Sequence, residues 1–149
     1  MPNSSTGQVA IKYGIRGPSL TITTACAASA NAVGEAKRMI EQNIVSKVLV
    51  GGTESGTTSM TIGAFSQIKA LSKQNDEPKK ACKPFDKNRD GFVMAEGSTV
   101  LILESEESAK RRNAKIHGYV SGYGSSTDAY HITAPSEGGE GAPVSYTHL

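Results

Sequence analysis

Cys26 is the residue from which covalent chemistry could start. It lies in Thr24-Ala25-Cys26-Ala27-Ala28-Ser29, between a β-branched run, Leu20-Thr21-Ile22-Thr23-Thr24, and a stretch of helical periodicity. A thiol at a strand-to-helix junction faces the positive end of the helix dipole, which favours a thiolate. The free N–H groups of the first turn can stabilise an oxyanion, and small neighbours let substrate approach the sulfur. Such a residue suits nucleophilic catalysis through a thioester. Cysteine is also a common small core residue, and position alone leaves both readings open. Cys82 sits in a polar loop without this context and reads as structural.

Other candidates are weaker. Asp86-Lys87-Asn88-Arg89-Asp90-Gly91 opens like a calcium loop. The twelfth position, where a bidentate Glu belongs, is Gly97, and Pro84 breaks the helix that should lead in. A turn tied by Asp and Asn hydrogen bonds is the better reading. His131 stands in a loop beside Thr133-Ala134-Pro135, and His117 in a predicted strand; their separation gives no metal spacing, so no metal site is expected. Gly51-Gly52 follows a strand, but neither phosphate-loop pattern nor a GxSxG elbow is present. Lys69, Lys73, Lys79, Lys80 and Lys83 form a basic stretch, which is more often a solvated face than a docking surface.

These residues need elements to hold them. Residues up to about Tyr13 have weak helical character, and Gly14, Gly17 and Pro18 mark a loop. Strands are expected at residues 20–24, 45–50, 100–103 and 116–123. Ala32, Val33, Ala36, Met39 and Ile40 line one face of a helix after Cys26, with Asn31, Glu35, Lys37, Arg38 and Glu41 on the other. The alanines near Cys26 predict tight packing of that helix. A further helix includes Phe65, Ile68 and Leu71. Val100-Leu101-Ile102-Leu103 is typical of a strand covered on both faces. Ser105 can cap a helix with Glu106 and Glu107 in its first turn and Lys110, Arg111 and Arg112 in its last. The remainder reads as loop. Alternating strands and helices predict an α/β layered fold with some parallel pairing. The sheet is thin for such apolar strands, as if cut from something larger.

Bulk properties bound the function. A chain of 149 residues, 37% hydrophobic and 20% charged, is globular and long enough to bury a core. Its net charge of +2 argues against nucleic acid. No apolar run is long enough to span a bilayer, and the N-terminus lacks the pattern of a signal peptide. Two cysteines make no disulfide framework, so a reducing, cytoplasmic setting is expected.

Gly17-Pro18-Ser19-Leu20 followed by Thr24-Ala25-Cys26-Ala27-Ala28-Ser29 resembles the nucleophile segment of β-ketoacyl-acyl-carrier-protein synthases. Four more blocks follow in family order: Val50-Gly51-Gly52-Thr53-Glu54, Ala70-Leu71-Ser72, residues 84–93 and residues 128–135. The resemblance runs to about Ala142, and Asp128-Ala129-Tyr130-His131 is similar to the elongating synthase II type. It implies a thiolase-like αβαβα layered fold, incomplete here: residues 1–115 from the later N-terminal half, 116–143 opening the C-terminal half, and 144–149 an unmatched tail. It also implies decarboxylative Claisen condensation in fatty acid elongation. Cys26 would be the nucleophile, Phe65 would border the acyl pocket, and Thr133 would lie near the pantetheine arm. His131 would stand near the active site without being a catalytic histidine, and Lys69 would meet the acidic carrier protein.

The implied partners are acyl carrier protein and a second copy of the synthase. No cofactor is implied, since substrates ride on the carrier's phosphopantetheine. The family's two catalytic histidines and catalytic lysine are expected downstream of this chain and early strands upstream, so the chain alone is not expected to condense. His148 matches neither histidine. Rival readings are a polyketide ketosynthase, a chain-length-factor partner, which generally lacks the cysteine, and a coenzyme A-dependent thiolase-like enzyme.

Overall fold

The computed structural model describes residues 1–147; His148 and Leu149 lie outside the described residues. The chain divides into two compact units, Met1–Gly52 with Val100–Leu149, and Thr53–Thr99.

In the first unit, α1 spans Ser4–Tyr13, a 3-10 turn spans Ala25–Ala27, and α2 spans Ala28–Glu41. It also holds α4 (Glu106–Arg111) and α5 (Gly141–Thr147), while β1 (Lys47–Ser55) and β2 (Glu96–Glu104) each have residues in both units. The second unit holds α3 (Ser59–Gln67) and a 3-10 turn at Pro78–Lys80. The strands form a two-stranded sheet. Lys47 Nζ lies 3.4 Å from Glu104 Oε2, and Ser55 Oγ donates to Glu96 Oε1 at 3.2 Å. The start of each strand therefore meets the end of the other, which is antiparallel pairing. Among the described residues, parallel pairing is confined to one bridge, Leu71 to Phe92.

Local chemistry explains the elements that form. Ser105 caps α4 by accepting the Ser108 N–H at 3.2 Å. Glu106–Lys110 and Glu107–Arg111 then pair across one helical turn at 2.7 and 3.4 Å. Glu104 ties this corner together: Arg112 Nε donates to Oε1 at 2.9 Å and Ser108 Oγ to Oε2 at 2.9 Å, with Lys47 beside it. Asp86 Oδ1 accepts the Asn88 N–H at 2.6 Å, the local turn expected of this loop. Asp90 is occupied elsewhere, accepting from Ser72 Oγ at 2.7 Å and the Lys73 N–H at 2.9 Å.

Several expectations are corrected. Residues 20–24 and 116–123 form no ladder, because β-branched composition makes a strand only beside a partner that takes its hydrogen bonds. The helix bearing Phe65 stops at Gln67, so Ile68 and Leu71 fall outside it. Its end is a Schellman motif: the Lys69 N–H reaches Ser66 O at 2.9 Å and the Ala70 N–H reaches Phe65 O at 3.0 Å, with Lys69 left-handed at φ 56°. The C-terminal segment is not all loop. α5 tolerates Pro143 because a first-turn residue needs no backbone donor.

The core is smaller than composition suggested. Among the described residues, the buried apolar side chains are Ala36, Val50 and Ala109 in the first unit and Ala81 in the second. Val100, Leu101 and Ile102 form a strand, yet 53%, 47% and 67% of their surface stays exposed. The cover on both faces predicted for them is not supplied by the described residues. Ala25, Ala27 and Ala30 are exposed too, so the tight packing expected around Cys26 is confined to Gly34 and Ala36 farther along α2.

Candidate active site

The chain reaches Cys26 through a sharp change of direction. Thr24 has φ −116° and ψ 44°, and Ala25 has φ 50°, the left-handed region that an alanine enters at about 1–2 kcal/mol. The Ala27 N–H then bonds Thr24 O at 3.1 Å, closing the 3-10 turn, and α2 begins at the next residue. Cys26 is a free, exposed thiol in the turn that enters a helix of 14 residues. The sealed apolar setting that would suit a core cysteine is not what the fold builds.

Three contacts brace this turn. Asn31 Nδ2 donates to Thr24 Oγ1 at 2.7 Å, and the Tyr123 hydroxyl donates to Asn31 Oδ1 at 2.9 Å. On another side of the first helical turn, Ser29 fills the space beside Gly52 of β1: a Cβ on Gly52 would stand 2.0 Å from Ser29 Oγ. A cleft of about 1080 Å3 runs along this region. Thr24, Ala27 and Asn31 line one part of it, and Tyr123, Asp128 and Gly141 another. Cys26, His131 and Thr133 do not line it.

His131 and Thr133 are brought together. His131 Nδ1 accepts the N–H groups of Thr133 and Ala134, each at 3.1 Å, so in the neutral ring the proton sits on Nε2. Asp128 holds the same loop by accepting the Ser136 N–H at 3.0 Å, with Ala129 left-handed at φ 51°. Phe65 is half-buried on α3, its ring edge-on to Phe92 at 6.2 Å between centroids. Lys69 follows it at the helix end. Cys82 is exposed beside Ala81. The brace of Asn31 and Tyr123 was missed by pattern alone. Its one local signal was an asparagine within the body of a helix, where its side chain competes with the backbone.

Residues 1–109 match the family model described as "Beta-ketoacyl synthase, N-terminal domain". The chain belongs to the β-ketoacyl synthase family. Among curated relatives, the chain is 49% identical to 3-oxoacyl-[acyl-carrier-protein] synthase 2 of Rhizobium meliloti over 94% of its own length and 34% of the relative's. It is 46% identical to the Coxiella burnetii protein of that name, over 93% and 34%. A mitochondrial 3-oxoacyl-[acyl-carrier-protein] synthase of Arabidopsis thaliana is 47% identical, over 97% and 32%. The chain thus spans about a third of the length of the curated relatives it matches.

Solved structures agree. A ketosynthase from a type II polyketide system, in complex with its acyl-carrier protein and bound to the hexaketide, matches 99% of this chain and 36% of its own at TM-score 0.91 and 38% identity. A β-ketoacyl synthase from Burkholderia phymatum matches over the same shares, at TM-score 0.91 and 31% identity. The fold is therefore the thiolase-like α/β fold of ketosynthases, represented in part. No helix among the described residues is long and apolar enough to cross a membrane.

Proposed function

We propose that this chain is one portion of a 3-oxoacyl-[acyl-carrier-protein] synthase II acting in fatty acid elongation, with Cys26 as its acyl acceptor. The observation that carries the reading is the exposed thiol of Cys26 in the turn entering α2. The thiolate attacks the acyl thioester carried by acyl carrier protein; the new C–S bond forms as the carrier's thiolate leaves. Malonyl-carrier protein then loses CO2, and the resulting carbanion attacks the Cys26 thioester. A C–C bond forms and the cysteine thiolate is expelled. The Cys26 N–H is one donor for the transient oxyanion.

Phe65 borders the acyl chain, Thr133 lies near the pantetheine arm, and His131 shapes the neighbouring loop. Lys69 contributes a positive charge for the acidic carrier. Residues 1–115 belong to the N-terminal half of the synthase and residues 116–143 open the C-terminal half, with the match to residues 1–109 supporting the first assignment. The whole synthase is a cytoplasmic homodimer in this reading. Relatives named 3-oxoacyl-[acyl-carrier-protein] synthase 2 stand at 46–49% identity, above the 38% of the polyketide ketosynthase, which favours the elongating enzyme.

Acylation needs only the cysteine and its helix, whereas decarboxylation needs groups that polarise the malonyl carbonyl. The chain alone is therefore expected to take up an acyl group without condensing it. Incubating the Cys82→Ser chain with an acyl-carrier thioester, followed by peptide mass analysis, tests this. One acyl group on Cys26, absent in Cys26→Ala, supports the reading. No acylation, or equal labelling in both, overturns it, and condensation by the isolated chain would refute the division of labour.

A further inference from the structure

We infer that Asn31 is a positioning residue for Cys26, acting through Thr24 and held in its working orientation by Tyr123. The inference rests on the reading of Cys26 as nucleophile.

Ala25 occupies a left-handed conformation one residue before the sulfur. Such a conformation persists only where its surroundings over-determine it. Thr24 precedes that strained residue, and its hydroxyl is held from α2 by Asn31 Nδ2 at 2.7 Å. The bond joins the residue two before Cys26 to the residue five after it, bracing entry and exit of the turn against each other. An asparagine amide could face either way. Here the Tyr123 hydroxyl donates to Oδ1 at 2.9 Å, which leaves Nδ2 for Thr24.

Tyr123 is itself seated on α2. A Cβ on Gly34 would stand 2.2 Å from its ring, so the ring lies where a side chain would otherwise be, and the Arg38 guanidinium covers it 5.2 Å from the centroid. Asn31, Gly34 and Arg38 recur at i, i+3 and i+7, one stripe of the helix. The segment around residue 123 thereby reaches the nucleophile turn through one amide.

The test measures iodoacetamide alkylation of Cys26 in the 149-residue chain carrying Cys82→Ser, with the urea-unfolded chain as reference. Thr24→Val and Asn31→Leu should each slow Cys26 alkylation about fivefold, the scale of one net hydrogen bond. The double variant should be no slower than either single, because both remove the same link. Asn31→Asp accepts from both hydroxyls and should stay within about twofold of the parent. Tyr123→Phe, which leaves the turn untouched in sequence, should give a partial loss and carries the test should Asn31→Leu fail to fold. Singles at the parent's rate, or losses that add in the double, overturn the inference alone. A folded parent reacting no faster than the unfolded chain overturns the nucleophile reading and the inference with it.

Discussion

A Cβ placed on Gly34 would stand 2.2 Å from the ring of Tyr123, closer than two carbon atoms can pack. The glycine sits inside α2, where alanine would ordinarily be favoured by about 1 kcal/mol. Glycine is kept there because the ring occupies the space. Gly34→Ala should therefore destabilise the chain, since overpacking costs about 1–3 kcal/mol and an overlap with three ring atoms at 2.2–2.3 Å puts that cost above the helical gain. In a Tyr123→Ala background the same change should become stabilising by up to about 1 kcal/mol, because only the helical term remains. Urea denaturation of the four chains reads this reversal of sign; a cost that persists without the ring would refute it.

Lys69 is the unexpected residue among the helix ends. α1, α2 and α4 end through left-handed residues Gly14, Asn43 and Asn113, the types that tolerate that conformation. α3 ends through Lys69 at φ 56°. Lys69→Gly should raise stability by about 1 kcal/mol. If the lysine serves the carrier protein, the same substitution should weaken carrier binding at low salt, and the deficit should shrink as salt screens the contact. Lys69→Arg should retain both the strain and the affinity. Thermal unfolding and carrier-binding titrations at two salt concentrations check the pair of effects; unchanged binding in Lys69→Gly would remove the assigned role.

What the sequence revealed was local. The Ser105 cap and the pairs Glu106–Lys110 and Glu107–Arg111 depend on residues three or four apart, and all form as their spacing implies. The position of Cys26 ahead of α2 followed from a change of periodicity within a few residues. The contacts that escaped are long-range or run against local preference. Tyr123 and Asn31 are 92 residues apart, and no periodicity links them. A lysine in a left-handed helix cap contradicts its own propensity. Residues 20–24 and 116–123 have strand composition, but a ladder requires a neighbour that composition does not specify. The apolar run at 100–103 did signal a strand; its signal of burial on both faces goes unmet by the residues described.

Ser105 offers a direct test of the local reading. Its hydroxyl accepts the Ser108 N–H, and α4 is only six residues long, so one cap bond matters. Ser105→Ala should cost about 1 kcal/mol, while Ser105→Asp should keep the bond and add a favourable charge at the helix start. Chemical denaturation of the three chains distinguishes them. Equal stability of Ala and Ser at this position would mean that the cap contributes nothing.

Glu104 should make part of the chain's stability sensitive to acid. Hydrogen bonding from Arg112, then from Ser108 and Lys47, holds its carboxyl at about 2, well below the ordinary value of 4.5. A depressed carboxylate stabilises the folded state above the unfolded-state value and loses that contribution as pH falls through the folded-state value. The contribution should therefore be complete near neutrality and fade between about 4.5 and 2. Glu104→Gln removes the charge while leaving an oxygen for Ser108. The variant should be less stable than the parent at pH 7, and the gap should narrow as pH falls from about 4.5 toward 3. Asp90, bonded first by Ser72, and Glu96, bonded first by Thr57, are also held below the usual carboxylate range, so some acid sensitivity should survive. Urea midpoints measured from pH 3 to 7 decide the matter: parallel curves would show that Glu104 is not ionically coupled to folding.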